Sequence, residues 1–267
     1  GIQELARALR VSGDGTRAGI ARRDEVLGPP KSRADGTARF LELASAAARS
    51  GAGPRPSPAI PPGTHVVLVR GLFGAHYPGY MRRSLEWLNG LEGVSAEVAP
   101  TDPEGSLLEN AAVAAACARA AAADGGRGPG GVVLFGHSRG GCEAVAAAAK
   151  WPGLCRGVVT AQSPLAGNPV ATDIESDPAF RSAAASLFAT ALAKPGVDFE
   201  SRRERIASVT GPITYESRAS WLRELPPDPE MPLVCFHSST ARASSVLAPV
   251  RAYLERRYGA AADSDGL

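Results

Sequence analysis

The chain has 267 residues, of which 44% are hydrophobic and 21% are charged, and its formal net charge is +2. This length and composition predict one α/β domain with a large core, plus extensions. Acidic and basic residues are interspersed, which argues against nucleic acid as a partner, and no apolar run of about 18 residues predicts a transmembrane segment. The four cysteines lack zinc-ligand spacing, so we expect reduced, mostly buried thiols, no metal and no other cofactor.

The first 60 residues are predicted to form an extension in front of the main domain. Apolar patterns within residues 2–9 and 40–44 predict short helices. Residues 50–63 are rich in proline and glycine and predict an extended linker. We therefore place the main domain at residues 61–267.

Within the main domain, segments typical of strands and helices alternate along the chain. Strands are predicted at residues 64–69, 94–99, 132–135, 156–162 and 233–236. Helices are predicted at residues 80–89, 107–123, 144–150, 177–194, 199–209, 215–225 and 245–258. This βαβα order predicts a doubly wound, mostly parallel sheet flanked by helices. Residues 170–230 show no obvious strand and are interpreted either as a helical lid or as ordinary outer helices.

A sharp turn is predicted between the strand at 132–135 and the helix that follows it. Residues 136–140 read GHSRG and fit the pattern G-x-S-x-G. Such a turn exposes the serine, here Ser138, at the carboxyl edge of the sheet, and its glycines let strand and helix approach closely. The helix N-terminus favours negative charge there, and the Arg139 N–H would donate to an oxyanion. Phosphate-binding glycine spacing is absent, so we interpret Ser138 as a nucleophile.

Four segments resemble the bacterial true lipases, which are serine esterases of the α/β-hydrolase fold. Residues 66–74 (VVLVRGLFG) resemble their oxyanion loop, and residues 136–141 (GHSRGG) resemble their nucleophile elbow. Residues 162–169 (QSPLAGNP) and 263–267 (DSDGL) resemble the segment after the next strand and the start of the acid loop. The resemblance covers roughly residues 64–267 and implies that fold and the hydrolysis of carboxylic esters.

The resemblance also implies roles for particular residues. Ser138 would be the nucleophile and Asp265 the acid, with Asp263 as second choice, and the N–H groups of Leu72 and Arg139 would form the oxyanion hole. In this family the catalytic histidine follows the acid, and no histidine follows Asp265 here. This implies that the chain is truncated at its C-terminus, before the catalytic base.

Two departures weaken the match to the true lipases. Arg70 stands where those lipases usually have a histidine that organises the oxyanion loop. Leu165 replaces a second histidine of their pattern. The sequence is therefore closer to a general ester hydrolase than to a lipase.

The four histidines of the chain have different interpretations. His237 follows a predicted strand and is the internal alternative for the catalytic base, although it lies before the acid in sequence. His137 and His65 are predicted to be structural. His76 follows the oxyanion segment and is interpreted either as structural or as a pocket residue.

Three functions remain open from the sequence. The first is hydrolysis of a small-molecule or lipid ester through an acyl-enzyme at Ser138. The second is acyl transfer to an alcohol by the same residues. The third is a non-catalytic binding protein that keeps the hydrolase fold, because a fold alone does not fix a function.

Overall fold

The computed structural model describes residues 36–49, 60–72, 74, 77, 79–102, 105–182, 209–238 and 252–255. Five strands form one sheet in the order β2-β1-β3-β4-β5, and every neighbouring pair is parallel. The strands are β1 (His65–Val69), β2 (Ser95–Val98), β3 (Val132–His137), β4 (Gly157–Ala161) and β5 (Leu233–Phe236). The helices are α1 (Thr37–Arg49), α2 (Arg82–Asn89), α3 (Leu107–Ala123), α4 (Arg139–Lys150), α5 (Pro169–Ser176) and α6 (Tyr215–Glu224). The predicted parallel sheet with flanking helices is confirmed.

Both faces of the sheet are covered, as a doubly wound architecture requires. On one face, alternate strand residues such as Val67 and Leu134 pack against α3 and α4. On the other face, Val66 and Leu68 pack against Leu88 of α2. Because side chains alternate along a strand, each apolar strand supplies both layers of the core.

The two alanine-rich helices pack closely against the sheet and against each other. Seven alanines in α3 and α4 are fully buried: Ala111, Ala114, Ala115, Ala118, Ala144, Ala146 and Ala147. The start of α3 is fixed by a capping box, in which the Ser106 hydroxyl accepts from the Glu109 N–H and the Glu109 carboxylate accepts from the Ser106 N–H. The capping box therefore satisfies backbone N–H groups at the N-terminus of α3.

Helix α5 was not predicted from the sequence. The Asn168 side chain caps it by accepting a hydrogen bond from the Ala171 N–H at 3.0 Å, and Pro169 occupies its first turn. An asparagine followed by proline is a recognised helix start, so the signal was present in the sequence. The region 170–230 contains no strand among its described residues, and whether it forms a lid stays a prediction.

Helix α1 belongs to the predicted extension and contacts the main sheet. The ring of Phe40 stacks on that of Phe236 in β5, with 5.8 Å between centroids. Among the described residues, no helix combines the length and the apolar character that a membrane span needs. Those residues also contain no cluster of three or more side chains suited to a metal ion.

Candidate active site

Ser138 adopts a backbone conformation that few residues other than glycine tolerate. It lies between the last residue of β3 and the first residue of α4, with φ 55° and ψ −131°. Strain of this kind costs on the order of 1–3 kcal/mol and persists only where surrounding structure enforces it. Here the Ser138 N–H donates to the Ala161 carbonyl at 2.8 Å, and its own carbonyl accepts from the Gly141 N–H at 3.0 Å. We call this strand-to-helix connection, residues 136–141, the Ser138 turn.

Three glycines make the Ser138 turn sterically feasible. A Cβ on Gly136 would lie 2.4 Å from the Gly140 carbonyl oxygen, and one on Gly140 would lie 2.4 Å from the Val69 carbonyl oxygen. A Cβ on Gly141 would lie 1.9 Å from Ser163 Oγ. Most of these contacts are with backbone, which cannot easily move aside. The sequence G-x-S-x-G-G is therefore required by packing at this turn.

The loop after β1 lies directly against the Ser138 turn. A Cβ on Gly71 would lie 2.8 Å from Ser138 Cβ and 2.9 Å from the His137 carbonyl oxygen. Leu72 follows, and its N–H donates to no other described residue. Arg139 is the first residue of α4, where an N–H points out of the helix N-terminus. The structure thus brings together three of the residues predicted from sequence: Ser138, Leu72 and Arg139.

Tyr80 connects the loop after β1 to the Ser138 turn. The Gly71 N–H donates to the Tyr80 hydroxyl at 3.2 Å, and that hydroxyl is also hydrogen-bonded to His137 Nδ1. The Tyr80 and His137 rings meet edge to face, with centroids 5.6 Å apart. Burial raises the pKa of Tyr80 and lowers the pKa of His137, so both side chains are neutral at neutral pH.

A buried ion pair fixes the first turn of α4. Arg139 and Glu143 are each 1% exposed, and Arg139 Nε lies 3.2 Å from Glu143 Oε1. Arg139 also donates to the Gly105 carbonyl, while the Asn110 amide donates to Glu143 Oε1 at 2.8 Å. Asn110 in turn accepts from the Asp102 N–H at 3.0 Å. The network therefore ties the helix that begins at Arg139 to the loop that precedes α3.

Burial raises the pKa of Glu143 to about 7, against the opposing effects of Arg139 and of the Asn110 hydrogen bond. The network of Arg139, Glu143 and Asn110 was not predicted from the sequence. Its only trace in the sequence is an arginine and a glutamate four residues apart on one helix, which is far commoner on exposed helix surfaces.

The Arg70 side chain lies against Gly74 in the loop after β1. A Cβ on Gly74 would lie 2.8 Å from Arg70 Cβ and 3.4 Å from its Cδ. The aliphatic part of the arginine therefore runs along the turn that follows Leu72. Because Gly74 has no side chain, it leaves room for the side chain of Arg70.

The alternative base His237 stays a prediction. It is exposed and directly follows β5, which is separated from β3 by β4. Two strand spacings place its backbone about 10 Å from that of His137. Within the described residues, neither the Ser138 hydroxyl nor the His237 ring makes a side-chain hydrogen bond. Asp265, Asp263 and His76 lie outside the described residues.

The structure also shows the surroundings of His65 and of the four cysteines. His65 lies at the amino end of β1, where its Nδ1 is hydrogen-bonded to Ser95 Oγ at 2.8 Å. Cys142 is fully buried in α4, and burial raises the pKa of its thiol to about 11. All four cysteines are free thiols, but only Cys142 is buried, while Cys117 and Cys155 are half-buried and Cys235 is exposed, which corrects the expectation that they are mostly buried.

Comparison with known proteins shows the fold. No protein-family model and no curated protein matches the chain. The Bacillus licheniformis lipase BlEst2, in its mature form, is 20% identical, with 79% of this chain and 78% of that chain covered and a TM-score of 0.55. The metagenomic carboxyl esterase MGS0156 is 18% identical, with 92% and 83% covered and a TM-score of 0.61. With its five-stranded parallel sheet and these structural neighbours, the chain has the α/β-hydrolase fold.

Proposed function

We propose that the protein hydrolyses carboxylic esters through an acyl-enzyme at Ser138. The observation that carries the proposal is the strained Ser138 turn, packed against a loop whose Leu72 N–H has no acceptor among the described residues. A strained backbone conformation at a serine persists only where surrounding contacts hold it in place, and residues with such strain cluster at active sites. The two similar structures support the proposal, since they are those of a lipase and a carboxyl esterase.

The chemistry proceeds in two steps. Ser138 Oγ attacks the ester carbonyl carbon while a histidine takes its proton, and the C–O bond to the alcohol then breaks as the histidine returns that proton to the leaving oxygen. Water, deprotonated by the same histidine, attacks the carbonyl carbon of the acyl-serine. The bond from that carbon to Ser138 Oγ then breaks, the histidine returns the proton to Oγ, and the carboxylic acid is released. The negative oxygen of each tetrahedral intermediate accepts hydrogen bonds from the N–H groups of Leu72 and Arg139. Asp265 orients the histidine, which is proposed to follow it in the polypeptide.

The proposed substrates are small-molecule or lipid esters. Ester chemistry needs neither metal nor redox cofactor when a serine, a base and two N–H donors are assembled. The helix N-terminus at Arg139 adds a field that favours the developing negative charge.

The experiment measures hydrolysis of p-nitrophenyl acetate, butyrate and decanoate. It compares residues 1–267 and the protein at its full natural length, each as wild type, as Ser138→Ala and as His237→Ala. Ser84→Ala is the matched control, because Ser84 is exposed on α2. We expect Ser138→Ala to lower kcat by at least about 1,000-fold and Ser84→Ala to leave it unchanged.

The other outcomes are equally informative. Activity that survives Ser138→Ala, or the absence of hydrolysis in every form, would overturn the proposal. Loss of activity in His237→Ala would identify His237 as the base and remove Asp265 and a downstream histidine from the mechanism.

A further inference from the structure

We propose that Tyr80 is a positioning residue that holds the Leu72 loop against the Ser138 turn, so that the oxyanion donors and the serine keep a fixed separation. The inference rests on the proposed function, and it assigns to Tyr80 no contact with substrate. The role of Tyr80 would be to fix the position of the loop after β1 relative to the Ser138 turn after β3.

The Tyr80 hydroxyl makes two hydrogen bonds, one to each of the two segments. It accepts a hydrogen bond from the Gly71 N–H at 3.2 Å and is hydrogen-bonded to His137 Nδ1. Gly71 is the residue before Leu72, and His137 is the residue before Ser138. A single oxygen atom therefore joins the backbone beside the proposed oxyanion donor to the side chain beside the proposed nucleophile.

The donors and acceptors at this hydroxyl are fully determined. A phenol has one proton to donate, and the Gly71 N–H already donates to its oxygen. The Tyr80 proton must then go to His137 Nδ1, which requires a neutral imidazole with its own proton on Nε2. Burial keeps His137 in that neutral form by lowering its pKa. The arrangement is therefore self-consistent at neutral pH.

Tyr80 is itself held by the packing of α2. Met81, between Tyr80 and the helix, has a positive φ of 58°, which fixes the direction from which the tyrosine enters. Met81, Leu85 and Leu88 pack with the apolar face of the sheet. The position of the loop is thus set by a helix docked on the core.

A displacement of the loop after β1 would change the distances between the reacting atoms. Gly71 is in such close contact with Ser138 that small shifts change the distance from Leu72 N–H to the serine. Misplacement of about 1 Å in an active site can lower the rate about 100-fold. The positive charge of Arg70 opposes the rise in the pKa of Tyr80 that burial causes.

The test is Tyr80→Phe, which keeps the ring and removes only the hydroxyl. With p-nitrophenyl butyrate, we expect kcat to fall about 10-fold or more while KM changes less than about twofold, because the hydroxyl acts on the transition state and not on substrate binding. The matched control is Ser95→Ala, which removes a hydroxyl bonded to His65 Nδ1 at 2.8 Å, at the opposite end of β1. We expect a similar shift in denaturation midpoint for both variants and an unchanged kcat for Ser95→Ala.

A second measurement does not depend on turnover. In ¹⁵N NMR spectra, His137 of the wild type should show a single neutral tautomer protonated at Nε2, and Tyr80→Phe should give a tautomer mixture with a shifted titration midpoint. Equal kcat in Tyr80→Phe and Ser95→Ala, or an unchanged His137 tautomer, would overturn the inference. Full activity in Ser138→Ala would overturn the proposed function. Loss of activity in Ser138→Ala together with an unchanged kcat in Tyr80→Phe would overturn only the role of Tyr80.

Discussion

Gly71 and Ser138 are in direct contact, and a Cβ on Gly71 would lie 2.8 Å from Ser138 Cβ. The contact follows from the sheet register. β1 and β3 are adjacent and parallel, with Val69 paired to Gly136, so the residues that follow both strands emerge at the same edge. The functional proposal depends on this meeting of two loops.

Substitution of Gly71 by alanine tests that contact. The added methyl group would meet the His137 carbonyl at 2.9 Å as well as Ser138, and neither can move without distorting the Ser138 turn. We expect kcat for p-nitrophenyl butyrate to fall about 100-fold, comparable to the loss of one oxyanion donor. Gly130→Ala is the control, because a Cβ there meets no atom within 4 Å. Equal activity of the two variants would show that the Gly71 contact is unimportant.

The buried Glu143 predicts a specific pH dependence of stability. Its pKa is raised to about 7 from an ordinary value of 4.5, so the folded state binds its proton more tightly than the unfolded state does. Stability from this group is therefore complete below about pH 4.5 and decreases as the pH rises towards 7. In Glu143→Gln this dependence should disappear.

Denaturant unfolding at several pH values measures the effect. Relative to wild type, Glu143→Gln should become progressively more stable as the pH rises, by on the order of 1–3 kcal/mol in total. A difference that stays flat or runs in the opposite direction would contradict the assignment. Glu109→Gln, in the exposed capping box, is a control for loss of a carboxylate outside the buried network.

The cysteines should differ sharply in reactivity. Cys142 is fully buried with a pKa of about 11, whereas Cys235 is exposed on β5. Since the thiolate is the reactive form, iodoacetamide should alkylate Cys235 first and leave Cys142 unmodified in the native protein. Peptide mass spectrometry over time measures the order, and denatured protein is the reference. Alkylation of native Cys142 at the rate of Cys235 would contradict the described packing.

The fold could be predicted from the sequence because its signals are local. Parallel strands buried on both faces are short apolar runs, such as those at residues 65–69 and 132–137, and they are separated by long helical segments. Strand β5 and helix α3 have the predicted bounds. The predicted helix at 144–150 was too short, because Arg139 and the glycines beside it are poor indicators of a helix, and tertiary packing overrides that propensity.

The only part of the site that could be predicted from the sequence is the part in which a motif requires a particular backbone conformation. The glycines around Ser138 are such a motif, since only glycine fits those positions. Tyr80 and the Arg139–Glu143 pair carry no comparable signal, because their roles arise from contacts between residues distant in sequence. Asp265 remains a prediction from resemblance.

The most direct test of the central claim is labelling by a fluorophosphonate probe, which reacts only with an activated serine. The probe is applied to the wild type, Ser138→Ala and Ser84→Ala, in residues 1–267 and in the protein at its full natural length, and the labelled peptide is identified by mass spectrometry. We expect the label on Ser138 in the full-length wild type and in its Ser84→Ala variant, and none in Ser138→Ala. Label on another serine, or no label in any form, would contradict the assignment of Ser138 as the nucleophile.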